Sequence, residues 1–254
     1  MKSNITVILN GYKRGYNLKE QLDAINNQTV KPDEVLLWYN HPGDDELVNY
    51  DVVNEVPTAL NNTNYGVWAR FAFALNAKSK YICIFDDDTI PGKMWLENCL
   101  STIKTHRGLL GTVGLLYTYP PEPTAYNDSY FSHYLRFGWP HPNKNTVEVD
   151  LVGHSWFFEK EWLSSFWRTI PDTNKFKTAG EDMHFSYSIQ KYLNLKTYVP
   201  PHPHDNIEMW GSTRGSELGN KDSLWSAGVT EQKKLIHNYY KILRNLGWKL
   251  KNDK

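Results

Sequence analysis

Cysteine is scarce: Cys83 and Cys99 are the two in 254 residues. They have no metal-ligand spacing, and two thiols make no disulfide framework, so neither a stapled secreted scaffold nor a thiolate-bound zinc site is indicated. Net charge is absent too, with 28 Lys and Arg against 28 Asp and Glu. That balance removes the basis for non-specific nucleic-acid binding, and no nucleic-acid partner is expected. No apolar run approaches the roughly 18 residues of a membrane span, so no transmembrane segment is expected. Met1-Lys2-Ser3-Asn4 runs straight into a strand pattern too short for a signal peptide. A cytoplasmic or otherwise soluble, reducing setting is the expectation. Internal repeats, low-complexity tracts and clear linkers are also missing.

Apolar and aromatic residues are plentiful. The 40% hydrophobic content suffices for one large α/β domain. Ten Trp and sixteen Tyr suit stacking on sugars or bases, although ordinary core packing accounts for most of them. The first half alternates strand and helix patterns. Ile5–Leu9, Glu34–Tyr39, Val52–Val56 and Tyr81–Phe85 read as strands, and Asn17–Asn27 and Tyr65–Lys78 as helices. Such alternation predicts an α/β fold with a mostly parallel central sheet and helices on both faces. Further on, Trp95–Thr105, Glu181–Leu193 and Glu231–Leu246 read as helices. Leu109–Leu116, Val147–Val152 and Ser155–Phe158 read as strands, and Tyr117–Asn145 as a long loop. One domain over residues 1–254 is expected, with a nucleotide-binding half (1–90) and an acceptor-binding half (91–254).

Asp86, Asp87 and Asp88 end the apolar run Tyr81–Phe85. Three adjacent carboxylates repel unless something positive sits among them, and a divalent cation with oxygen ligands, Mn²⁺ or Mg²⁺, is the natural candidate. Asp88 and Asp86 are the expected ligands, with a neighbouring aspartate free for a ribose hydroxyl; the alternative is a solvated acidic turn. Glu181 and Asp182 open a predicted helix after Gly180. There they are either helix caps or catalytic carboxylates, Asp182 acting at the reacting carbon and Glu181 orienting a neighbour. His202, His204 and Asp205 lie in a Pro-stiffened segment. His204, beside Asp205, is the preferred metal or diphosphate contact, against the alternative of a rigid polar loop. Arg14, in the first strand-to-helix loop, and Arg70, in the helix before the acidic strand, are the expected cations for a diphosphate, with a solvated loop charge as the equal alternative for Arg14.

These motifs resemble metal-dependent glycosyltransferases of the GT-A fold over most of the chain. ITVILNGYKRG is similar to their first strand and nucleotide loop, and EVLLWYN to the second strand. NTNYGVWARFAFALNAKSKYICIFDDDTIP is similar to the helix and DxD strand. VDLVGHSWFFEKEWL resembles the acceptor-side strands and GEDMHFSYSI the acidic catalytic helix. Two subgroups share this order, family 2 and the exostosin-type domains of family 64. The latter also have a Trp-Asn ending of strand two, a DDDT segment and a stretch like Asp205-Asn206-Ile207-Glu208, whereas 226–236 departs from their pattern. The resemblance implies that Arg14, Asn40, Asn64 and Arg70 contact the nucleotide, that Asp86, Asp87 and Asp88 hold ribose and metal, and that Asp182 sits at the reacting carbon. It implies a nucleotide-sugar donor, a UDP-sugar, and a glycan or glycoprotein acceptor.

The expected activity is therefore metal-dependent transfer of a sugar from a nucleotide-diphosphate sugar to an acceptor hydroxyl. The loop Tyr117–Asn145, Trp156 and Trp210 are expected to select the acceptor. One alternative is a sugar nucleotidyltransferase, for which Asn10–Gly15 is a poor phosphate loop. The other is a non-catalytic carbohydrate-binding protein, which has no need of the two acidic clusters.

Overall fold

The computed structural model of the chain describes residues 2–118, 133–218 and 230–253. Four strands come first: β1 (Ile5–Gly11), β2 (Glu34–Asn40), β3 (Thr58–Asn61) and β4 (Tyr81–Phe85). They lie side by side in the order β3-β2-β1-β4, all parallel. β1 and β4 are buried along nearly their whole length, as unbroken apolar runs predict for strands covered on both faces. Helices α1 (Leu18–Asn26), α2 (Tyr50–Glu55) and α3 (Ala69–Phe73) occur along the connections between them.

The second half contains α4 (Trp95–Thr105), β5 (Gly108–Tyr117), β6 (Tyr134–Gly138), β7 (Val147–Val149), β8 (Leu151–Glu159) and α5 (Leu163–Phe166). After these come α6 (Glu181–Leu193), β9 (Lys196–Val199), α7 (Gly215–Leu218) and α8 (Thr230–Asn245). β8 runs antiparallel to β4 and continues the sheet through β5, β9 and β7, while β6 pairs with the end of β5. The expected α/β architecture is present, its parallel part confined to the first four strands and the β5–β9 pair.

Three sequence expectations need correction. Val52–Val56 is not a strand. Asn49 Oδ1 accepts the Val52 N–H at 3.2 Å and starts α2, and the strand follows Pro57 at Thr58. The cap outweighs the β-branched preference of Val52 and Val53. The helix expected over Tyr65–Lys78 is one short α-turn plus a 3₁₀ turn, because Gly66 sits at φ 77° and the Val67 N–H is taken by the Lys177 carbonyl. Part of the supposed long loop is β6, and residues 119–132 of it lie outside the described residues. β9 had no expectation at all. Among the described residues, no helix is long and apolar enough to cross a membrane.

An aromatic cluster joins the two halves under the strand ends. Phe71 stacks on Phe166 with centroids 4.7 Å apart and meets Trp156 edge-on at 5.5 Å. Trp156, expected to face the acceptor, is buried in this cluster. It sits beneath the Arg70 guanidinium, 4.5 Å from its ring centroid.

Candidate active site

Asp86, Asp87 and Asp88 follow β4 at its carboxyl end, where open parallel sheets place their ligands. The chain does not remain extended there. The Thr89 N–H donates to the Asp86 carbonyl at 3.2 Å and closes a turn. The α1 side holds this turn by its backbone. Gln21 Nε2 donates to the carbonyls of Asp86 and Thr89 at 2.7 Å each, and Asn17 Nδ2 donates to that of Asp87 at 3.0 Å. With the backbone held from behind, the three carboxylates line a cleft of about 360 Å³.

The cleft brings together Arg14, Asn40, Asn64, Arg70, Asp86, Asp87, Asp88, Glu181 and Asp182. His204 is not among the residues lining it; it is exposed in the loop after β9. Its neighbour His202 is buried between Trp95 and Trp210. His202 Nε2 accepts the Gly211 N–H at 3.1 Å, so Nδ1 donates to the Pro200 carbonyl at 2.9 Å. That segment packs the fold.

The imidazole that does reach the acids is His154, which sequence reasoning passed over inside VDLVGHSWFFEKEWL. Between Gly111 and Val113 the β5–β8 register slips, so β8 carries an extra residue there. His154 takes φ 64°, an uncommon value for a residue with a side chain. Its carbonyl accepts from the Asp86 N–H and from Thr89 Oγ1, each at 3.0 Å. Its Nδ1 lies 3.8 Å from Asp88 Oδ1. This nitrogen is buried and without a hydrogen-bond partner. Ligand atoms of Asp86, Asp88 and His154 all lie within 4.8 Å of one another. Two carboxylates and an orphaned imidazole nitrogen fit a divalent cation. The imidazole favours Mn²⁺ over Mg²⁺, which prefers oxygen.

Both arginines are turned onto the acids. Arg14 forks between Asp87 (Nε to Oδ1, 3.0 Å) and Asp88 (2.8 Å). Burial opposes its charge, but Asp87 and Asp88 outweigh that and raise its pKa. Arg70 bridges Asp86 and Glu181 Oε1, the latter at 2.8 Å, and is 2% exposed. Five carboxylates thus meet two guanidiniums, with Lys13 at the rim. The surplus of negative charge shows in the protonation equilibria. Burial pushes Asp87 up to about 6 against the pull of Arg14. Burial also raises Glu181 and Asp182 well above the usual carboxylate range, with Asp86 adding to both.

Glu181 and Asp182 start α6 after Gly180, whose φ is 99°. Asp182 Oδ1 accepts the Met183 N–H at 2.6 Å. The C-terminal helix fixes this corner. Gln232 exchanges two hydrogen bonds with Thr178, at 2.8 and 3.0 Å. The Tyr239 hydroxyl donates to His184 Nδ1 at 2.8 Å, and His184 Nε2 donates to the Phe166 carbonyl at 2.7 Å. Burial lowers the His184 pKa to about 4, which keeps it neutral in that role. A Cβ on Gly180 would lie 2.5 Å from the Tyr239 ring. Gly180→Ala should therefore cost about 2–4 kcal/mol and lower the melting temperature by roughly 5–10 °C in thermal unfolding.

Asn40 and Asn64 shape the cleft wall through backbone contacts. Asn40 Oδ1 accepts the Tyr65 N–H at 3.1 Å, and Asn64 Oδ1 accepts that of Gly66 at 2.7 Å.

A parallel first half, an acidic turn after its last strand and a carboxylate pair across the cleft fit a GT-A glycosyltransferase fold. The chain belongs to glycosyl transferase family 2, whose family model matches residues 6–167. Of the two subgroups the motifs resemble, this is the one whose model matches. Among solved structures, S. aureus TarS is similar over 79% of this chain and 37% of its own, at 17% identity and TM-score 0.52. TarS 1–349 in complex with UDP is similar over 79% of this chain and 58% of its own, at 18% identity and TM-score 0.50. The chain thus spans well under two thirds of either TarS chain, and the likeness is one of fold. A comparison with curated proteins finds no match.

Proposed function

We propose that the chain transfers a sugar from a nucleotide-diphosphate sugar, a UDP-sugar, to the hydroxyl of a glycan or glycoprotein, using Mn²⁺ held by Asp86, Asp88 and His154. The observation that carries this reading is the convergence of that ligand set, two arginines and the Glu181–Asp182 pair in one cleft. UDP as the nucleotide draws on the TarS complex as well as on the motifs. When bound, the cation would offset charge on the departing diphosphate. Arg14 and Arg70, already beside the acidic turn, add fixed positive charge there and need little reorganisation. Asp182 takes the proton of the acceptor hydroxyl as that oxygen bonds to the anomeric carbon and the bond to the diphosphate breaks. Glu181, tied to Arg70, orients it. Donor contacts lie within 1–90, and 91–254 supplies the acceptor side and the catalytic helix.

The test is a thermal-shift panel of UDP, GDP, CDP and dTDP with and without Mn²⁺, because a ligand of the native state raises its melting temperature. UDP with Mn²⁺ should give the largest shift. His154→Asn removes the imidazole but keeps a residue that tolerates positive φ, and it should need about tenfold or more Mn²⁺ for the same shift. No response to any nucleotide with Mn²⁺ would end the donor assignment. Release of UDP during turnover, rather than pyrophosphate, separates this activity from nucleotidyl transfer. Sugar binding indifferent to nucleotide and metal would support a carbohydrate-binding protein instead.

A further inference from the structure

Arg136 stands apart from the other six arginines. Arg14, Arg70, Arg107, Arg214 and Arg244 each pair with a carboxylate, and Arg168 is exposed. Arg136 is half-buried, has no carboxylate partner among the described residues, and keeps a buried Nε–H with no acceptor. Burial lowers its pKa, so its charge sits in an unfavourable place unless an anion joins it.

Its position says where that anion comes from. On β6, Leu135 is exposed while Tyr134 and Arg136 share the opposite face. Arg136 is opposite Leu115 on β5, and Leu115 is opposite Leu151 on β8. Leu115, Leu151 and Tyr134 all line the catalytic cleft. Arg136 therefore extends the cleft face along the edge strand, beyond the second-half wall. Its guanidinium lies 5.6 Å from the Trp139 ring centroid, and Trp139 lies 5.3 Å from the His154 ring. One indole thus separates a guanidinium with no carboxylate partner among the described residues from the proposed cation ligand.

We infer that Arg136 receives an anionic group, a carboxylate or a phosphate, carried by the acceptor. The inference rests on the transferase reading above, since it assigns the second-half wall to the acceptor. A planar guanidinium held on an aromatic ring with its donors unspent suits bidentate capture of such a group. Neutral glycans offer nothing that would offset its buried charge.

The experiment is calorimetric titration of glucose 6-phosphate, glucuronate and glucose into the full chain held in saturating UDP and Mn²⁺. Saturation keeps anionic probes out of the diphosphate position. At least one anionic probe should bind the wild type more tightly than glucose. The preference for phosphate or carboxylate then identifies the source of the charge. Arg136→Gln should lose about tenfold or more of that affinity, and Arg136→Lys should recover part of it. Thermal unfolding serves as the folding control in both variants. Equal affinity for glucose and both anions, or an unchanged preference in Arg136→Gln, would overturn the inference while leaving the donor site intact. Weakened UDP binding in Arg136→Gln would overturn it too, by assigning Arg136 to the diphosphate. Failure of UDP to bind the wild type would instead strike at the donor reading, and the difference in anion affinity between wild type and Arg136→Gln would still report on Arg136.

Discussion

Asp88→Ala should remove Mn²⁺-stimulated turnover, lowering the rate on the order of 10³-fold, while the protein stays folded. The loss is large because Asp88 supplies one of the three ligand groups clustered there among the described residues. Folding survives because Arg14 keeps Asp87, to which both Nε and a terminal nitrogen donate. The backbone of the acidic turn, moreover, is held by Asn17 and Gln21 and not by the Asp88 side chain. Removing one of several crowded carboxylates also relieves repulsion. A melting temperature within about 3 °C of the wild type is therefore expected. The check is turnover against Mn²⁺ concentration, alongside thermal unfolding. Near-normal stimulated rates in this variant would dismiss the cation site.

Asp182→Asn should lower kcat by about 10²- to 10⁴-fold with UDP and Mn²⁺ binding preserved. Asp182 is singled out over Glu181 because Arg70 already engages Glu181, whereas Asp182 forms no salt bridge among the described residues. The role requires the ionised carboxylate. Burial raises the Asp182 pKa, against the Met183 N–H that favours the charged form. The wild-type rate should consequently fall as pH drops through a pKa above the ordinary 3.8, and it should be restored on raising pH again. In Asp182→Asn, the small residual rate should lose that acidic limb. A variant with an unchanged kcat, or with the same acidic limb, would remove Asp182 from the chemistry. Glu181→Gln should act differently. It would release Arg70 from one of its two partners and impair positioning of the corner more than the proton transfer itself.

The parallel half and the carboxylates at the end of its last strand could be read from the sequence because their signals are local. Tyr81–Phe85 is a buried apolar run that stops at three aspartates, and no distant residue is needed to see a strand delivering carboxylates. Glu181–Leu193 matched its helix to the residue because Gly180 and a first-turn acidic pair mark its start. Val52–Val56 misled because composition pointed one way and a single capping contact from Asn49 pointed the other. His204 was favoured because it neighbours an aspartate in the chain, and proximity along a stiff loop proved a poor guide to proximity in space.

His154 shows the limit most clearly. Nothing in its neighbours marks it as a ligand: it sits in a strand pattern, flanked by Gly153 and Ser155. Its imidazole reaches Asp88 because a register slip against β5 adds a residue to β8 and sets it at positive φ, 66 positions along the chain from the acid it approaches. Arg136 is similar, since its lack of a carboxylate partner among the described residues is visible only when the other arginines have been placed as paired or exposed.

By itself, the sequence determined the α/β order, the three carboxylates at the end of a parallel strand and the carboxylates at the mouth of a helix. These follow from hydrophobic period and capping chemistry within a few residues. Only the tertiary structure decided that Arg14 and Arg70 pair with those acids, that His154 lies beside Asp86 and Asp88 and that Arg136 has no carboxylate partner among the described residues. Those outcomes depend on strand register and on electrostatic pairing across the sheet, where the partner of a charge is set by distance in space and burial, and not by separation along the chain.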